Sequence, residues 1–403
     1  ITYAGLARAA LVSGAGPGDD VLAVACEHPA CVAPDTPLWE VERLQHEQGL
    51  KYVIVADQGR PLGMVSQTDI LRSLMARQES LPAAVARADT IAELAELYRQ
   101  AARAGADLRE VNHRASAAVR GLSDFHLALQ RRCVELTLGE MERAGMGPPP
   151  APYAVLVMGS GGRREMLLNP DQDNGLILGD GAGGHPQAAR WFGDFAGRLN
   201  ERLAEVGYIL CPGEIMARNP MFRKTLGEWR RQIDHISEHP TGKAARWANV
   251  VLDFDLLHGD PALVRELRAH VLEALARRPR LLAMMVEDDA EGRPPLGLFN
   301  RLVTEREEAR RGKVDLKRNG LRILADGARI QALGAGIGAL GTGERLTRLV
   351  HQGVLAADYA ETVKAAHEAL TELLLDHQLR QAGAGRPVDK LLTLATRTPL
   401  EQE

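Results

Sequence analysis

The stretch Tyr153–Leu178, YAVLVMGSGGRREMLLNPDQDNGLIL, constrains this chain more tightly than any other. Tyr153 to Met158 is an apolar run of strand length closed by turn residues, which predicts a buried strand. Gly159-Ser160-Gly161-Gly162-Arg163 follows. Glycines there let backbone amides approach a ligand closely, and amides turned inward form a concave anion site. Asp171-Gln172-Asp173 then runs into a second apolar segment, Gly175 to Leu178. At the mouth of a strand, carboxylates at i and i+2 leave from one face, about 6.6 Å apart at roughly 3.3 Å per residue.

Two like charges at about 4 Å repel by roughly 1 kcal/mol in water and roughly 4 kcal/mol at an effective dielectric of 20. A divalent cation removes that cost. Magnesium takes oxygens from one or two carboxylates and completes its shell with water and substrate phosphate. Asp-x-Asp by itself describes a solvated turn more often than a metal site. The glycine turn upstream and the two flanking apolar runs select metal-assisted chemistry on a nucleotide.

The strings GSGGRRE and DQDNGLIL resemble the Gly-Ser…Asp-x-Asp signature of the polymerase-beta-like nucleotidyltransferases. More narrowly, they are similar to the CBS-linked enzymes related to PII-uridylyltransferase. The resemblance implies that Gly159 and Ser160 hold nucleoside triphosphate phosphates, with Arg163 as a phosphate-side cation. It implies that Asp171 and Asp173 bind two Mg2+ ions, with Mn2+ as a substitute. A third acid is expected on a later strand, where Asn249–Gly259 (NVVLDFDLLHG) places Val251, Asp253 and Asp255 on one face. Asp253 matches the family's acid, as catalytic group and metal ligand; a strand-end cap is the alternative for it. Asp255 stands where the family carries Arg, and Arg164 where it carries a small residue.

Upstream, Gly63-Met64-Val65-Ser66-Gln67-Thr68-Asp69 resembles the strand-to-helix turn of a CBS module. There Ser66, Thr68 and Asp69 would hold the ribose of an adenosine nucleotide, and a helix N-terminus behind them favours phosphate. The competing reading has Ser66 or Thr68 simply capping the helix. In the preceding half-module Gly5 stands where the Asp belongs. CBS pairing implies a homodimer.

The 403 residues suit two to four domains. The expected fold is α/β and multidomain: a CBS region over 1–78, a helical linker over 79–145, a polymerase-beta-like α/β core over 146–262 and a C-terminal helical bundle over 263–403. Aromatics make up only 4%, which favours helices packed through small and aliphatic side chains. Formal charge is −4 and Arg is scattered, so no nucleic-acid face is indicated. The four cysteines form no C-x-x-C pair, as in reduced cytoplasmic proteins. No apolar run approaches the roughly 18 residues of a membrane helix. The chain begins at Ile1 without Met, so any leader would lie outside it.

Several finer expectations follow. Ile91, Leu94, Leu97 and Tyr98 mark one helix face, and Trp191, Phe195, Leu199 and Leu203 another. His113, His126, His367, Asp376 and His377 lack metal spacing and read as surface residues. Arg218, Arg223 and Lys224 are candidates for phosphate or for a solvated basic turn. Val314–Leu324 should open a helical bundle. Gly336–Gly341 matches G-x-G-x-x-G but lacks the preceding strand of a dinucleotide site, and Thr342 should cap the next helix.

Two functions from different classes result. One is transfer of a nucleoside monophosphate from a triphosphate to a hydroxyl, by analogy a tyrosine of a small regulatory protein. The other is a nucleotide-binding regulatory protein with a silent nucleotidyltransferase fold.

Overall fold

Four strands build the main sheet of this chain, and the apolar run at Tyr153 supplies its centre. The structure is a computed structural model. It describes residues 30–70 (apart from 35, 37, 48, 58 and 68), 81–290 (apart from 113) and 312–393. Two compact units emerge, Ile1–Ala83 and Ala84–Glu403.

In the first unit, β1 (Cys31–Val32) pairs parallel with β2 (Tyr52–Asp57), which pairs antiparallel with β3 (Arg60–Ser66). Helix α1 (Leu38–Glu47) contributes Val41 to a small core with Val53 and Ile70. The half-module at Ile1–Leu6 and Thr68 lie outside the described residues.

Helix α2 (Leu81–Arg87) spans the boundary, and the second unit continues with α3 (Ile91–Arg99), α4 (Ala101–Val111) and α5 (Ala115–Arg143). Thr90 and Glu93 cap α3 reciprocally, the Ser/Thr-x-x-Glu pattern that satisfies two orphan amides. These helices were expected as a linker; α3 to α5 instead pack within the second unit, α5 against α4 and the later α7 (Pro186–Val206). The expected stripe on α7 is buried: Trp191, Phe195, Leu199 and Leu203 are all under a tenth exposed.

The sheet runs β8 (Arg223–Thr225), β6 (Asn174–Leu178), β4 (Tyr153–Val157), β9 (Asp255–Gly259). Both neighbours of β4 are antiparallel to it, and β8 is parallel to β6. Strand β4 is buried on both faces, which is why it reads as an unbroken apolar run. Ala154, Leu156 and Met158 join a core with Trp229 of α8 (Leu226–Glu238), Val251 of α9 (Gly242–Val251), Leu267 of α10 (Pro261–Arg277) and Met285 of α11 (Arg280–Ala290). Asp260 caps α10 through the Ala262 amide, with Pro261 at its first position.

Three expectations are corrected here. Asn249–Val251 closes a helix, so the strand starts only at Asp255 and Asp253 lies in the intervening turn. Alanines at 244, 245 and 248 support that helix, overriding the alternation that suggested a strand. Lys313–Asp315 forms strand β10 rather than opening a bundle, pairing antiparallel with β11 (Leu391–Thr393); a π-helical turn, Lys317–Leu321, leads from it into α12 (Arg322–Gly334). The polar, Pro-containing stretch Asp288–Pro295 reads in sequence as a loop, whereas helix α11 continues to Ala290. Then come α13 (Thr342–His351) and α14 (Ala357–Gly383), with Gly336–Gly341 as the loop between α12 and α13. Among the described residues no helix is long and apolar enough to cross a membrane.

Candidate active site

Strand β4 delivers the glycine turn. Gly159 adopts φ +56°, the left-handed region open to glycine, and a Cβ on it would lie 3.0 Å from Asp173 Oδ2. The residue is therefore required twice, by its backbone and by the carboxylate against it. Gly159–Arg163 is a five-residue helix, α6, and at Gly162 a Cβ would sit 1.8 Å from the Asp253 carbonyl oxygen. The turn and the Asp253 loop thus touch backbone to backbone. Arg164 ends α6 with φ +57°, a left-handed conformation that residues other than glycine rarely adopt.

The Asp-x-Asp segment is held by what lies between its acids. Asp171 and Gln172 form β5, parallel to β7 (Ile209–Leu210), and Asp173 links β5 to β6. Buried Gln172 donates to the carbonyls of Asn200 and Tyr208. Asn200 donates to Gln172 Oε1 at 2.9 Å and to Asn174 Oδ1 at 3.0 Å, and its own Oδ1 accepts from the Arg218 amide. With 172 and 174 locked inward, 171 and 173 turn to the other side, as the period of an extended chain requires. These amides carried no sequence signal beyond being polar residues amid apolar ones; their partner on α7 is remote along the chain.

Asp173 makes no ion pair among the described residues. Burial pushes its carboxyl up, against the pull of a hydrogen bond from the Cys211 thiol, and Asp171 pushes it further. Asp171 has Lys390 Nζ at 3.7 Å from Oδ2. A cavity of about 750 Å³ is lined by Ser160, Arg163, Asp171, Lys317 and Lys390 among others. Burial pushes the Lys317 ammonium down to about 8; Lys390 acts the same way, and Asp171 and Asp173 oppose it.

Asp253 is engaged by arginines. It is fully buried and both carboxylate oxygens are taken: Oδ2 accepts from Arg163 Nη1 at 2.7 Å and Arg329 Nη1 at 2.9 Å, and Oδ1 accepts from Arg345 Nη2. Burial alone would raise its carboxyl, but Arg345, Arg329 and Arg163 hold it far below the usual carboxylate range. Arg268 lies 3.8 Å over the Phe254 ring and donates to the carbonyls of Leu252 and Phe254, pinning the turn on both sides of the acid. The sequence reading expected Asp253 to join Asp171 and Asp173 at a metal; its carboxylate oxygens here meet Arg163, Arg329 and Arg345. Among the described residues no group of three or more His, Cys, Asp or Glu side chains is arranged to hold a metal ion.

The arginines run on into the C-terminal helices. Arg163 Nε donates to Glu165 at 2.7 Å, and Glu165 accepts from the Thr342 amide at 2.8 Å. Glu165 thus does from a distance what Thr342 was expected to do; Gly341 is the N-cap of α13 and Thr342 its first residue. Arg329 also reaches Asn249 and Asp326.

Ser66 Oγ donates to Asp69 Oδ2 at 2.6 Å, while the Asp69 amide donates to Ser66 Oγ at 3.1 Å, a reciprocal cap at the turn after β3. Asp255 accepts from the Leu256 amide. Arg218 pairs with Glu214, Arg223 donates to the carbonyls of Ala217 and Arg218, and Lys224 to Gln232; none lines the cavity. His126 is a correction. It is fully buried, bonded to the Leu167 carbonyl through Nε2 and facing the Tyr208 hydroxyl through Nδ1. His367 lines the cavity, and His377 lies 3.4 Å from Asp389.

The sequence matches three family descriptions: putative nucleotidyltransferase DUF294 over residues 99–243, the putative nucleotidyltransferase substrate binding domain of DUF294_C over 279–403, and the CBS domain over 21–76. No curated protein matches the chain.

Proposed function

We propose that this chain, which matches the two DUF294 putative nucleotidyltransferase descriptions and the CBS domain, transfers a nucleoside monophosphate from a nucleoside triphosphate to an acceptor hydroxyl. One observation carries the reading: the Asp171–Asp173 pair stands against the Gly159–Ser160 turn, with Asp173 in reach of Gly159. Asp173 is half-buried and makes no ion pair among the described residues, and a carboxylate pair that leaves other positions to water and phosphate oxygens suits Mg2+. That ion supplies charge neutralisation at the transferred phosphoryl group. The turn amides and Ser160 position the triphosphate, and Arg163, its Nε and Nη1 committed to Glu165 and Asp253, presents a guanidinium edge to it. Asp253 serves this site by orienting Arg163.

The CBS domain fits into the same reading as the sensor, with an adenosine nucleotide at Ser66, Thr68 and Asp69 and two copies of the chain paired. The acceptor we assign is a hydroxyl on a regulatory protein.

Mg2+-dependent release of pyrophosphate from a panel of triphosphates, with candidate acceptor proteins, tests the activity, and Asp171→Asn should abolish it. Turnover that survives this substitution would overturn the site. The engagement of Asp253 by three guanidiniums favours a second reading, a nucleotide-binding regulator without chemistry. Thermal stabilisation by triphosphate with no pyrophosphate release from any of the panel would select it.

A further inference from the structure

The ribbon β10–β11 brings two cations to the carboxylate pair from parts of the chain more than seventy residues apart. Asp315 pairs with Leu391, so Lys317, just beyond one strand, and Lys390, just before the other, are set at the same end of the ribbon. Both line the cavity that holds Asp171, Ser160 and Arg163. Lys390 Nζ lies 3.7 Å from Asp171 Oδ2, whereas Lys317 makes no ion pair among the described residues. Two ammonium groups placed together in a cavity wall repel each other. One alone would suffice as a counter-charge for Asp171. Asp171 on the cavity wall with two ammonium groups beside it suits a polyanion that is held by a divalent ion on one side and by lysines on the other.

We infer that the ribbon is the second half of the phosphate site: Lys317 and Lys390 bind the non-transferred phosphate oxygens of a nucleoside triphosphate, and Lys390 exchanges Asp171 for phosphate when the nucleotide enters. This rests on the nucleotidyltransferase reading. It makes a prediction with opposite signs for two ligands. Removing either ammonium weakens the triphosphate and leaves a cation alone bound as well or better, because a neighbouring positive charge has gone.

The test is calorimetric titration of the full chain with Mn2+ alone, and then, in Mn2+, with the α,β-methylene analogues of ATP, CTP, GTP and UTP and the corresponding monophosphates. Lys317→Gln and Lys390→Gln should each lower triphosphate affinity at least tenfold, change monophosphate affinity less than threefold, and leave Mn2+ affinity equal or higher. Lys317→Arg and Lys390→Arg, which keep the charge, should restore most of the loss. Unchanged triphosphate affinity in the Gln variants overturns the proposal, as does an equal loss for mono- and triphosphate, or weakened Mn2+ binding that Arg does not rescue. If the unaltered chain binds none of the triphosphates, the nucleotidyltransferase reading itself falls, and this proposal with it.

Discussion

Asp253 is the residue on which the chemistry and the stability of this protein come apart. A buried carboxylate between three guanidiniums is costly to dismantle, because removing one charge strands the others away from water. Asp253→Asn should therefore destabilise the second unit by about 3–5 kcal/mol, read by urea unfolding. Asp171→Asn, at a half-buried position with one ammonium at 3.7 Å, should cost about 1 kcal/mol or less. Equal effects would refute the division of roles. His126 makes the second prediction at this scale. Burial holds its imidazole down to about 4, below its unfolded value of 6.5, so on acidification the unfolded chain takes the proton first. Its stabilisation is complete above 6.5 and is lost as pH falls from there towards 4, by about 2 kcal/mol at pH 5. Burial lowers His258 as well, with the same sign. His126→Gln should flatten this part of the stability profile; an unchanged slope between pH 7 and 5 would remove His126 as its source.

Among elements, α6 shows how a five-residue helix can be fixed by contacts it could not have announced. Gly162 is held by the Asp253 carbonyl, and Gly162→Ala must move one backbone or the other. A loss of several kcal/mol is expected, on the order of the largest core substitutions. A Cβ added at Gly139 in α5 would meet nothing within 4 Å, so Gly139→Ala should instead stabilise by about 0.5–1 kcal/mol. Thermal unfolding of the two variants checks the contrast, and a tolerated Gly162→Ala would mean that α6 and the Asp253 turn are not in contact. The periodic helix α7 was legible from its apolar stripe. The strand expected over 249–259 was not, since NVVLDF alternates as a strand would, while the helix it ends is selected by packing of Ala245, Ala248 and Val251 into the core.

For the whole molecule, the division at Ala83 makes the second unit a candidate for independent folding. A chain beginning at Leu81 should unfold in one cooperative transition with a midpoint within a few degrees of the corresponding transition in the full chain. A shift of ten degrees or more would show that the first unit stabilises the second.

What the sequence by itself determined was local: the buried strand at Tyr153, the glycine turn, the paired acids, the amphipathic helices and the family these motifs indicate. Each depends on neighbours a few residues away, through backbone sterics and the periods of strand and helix. What only the tertiary structure decided was which charges meet. Asp253 finds Arg163, Arg329 and Arg345, and Asp171 finds Lys390, across separations of up to 219 residues. A charge acts through space over a few ångströms, and that proximity is set by the packing of helices whose order along the chain says nothing of the distance between them.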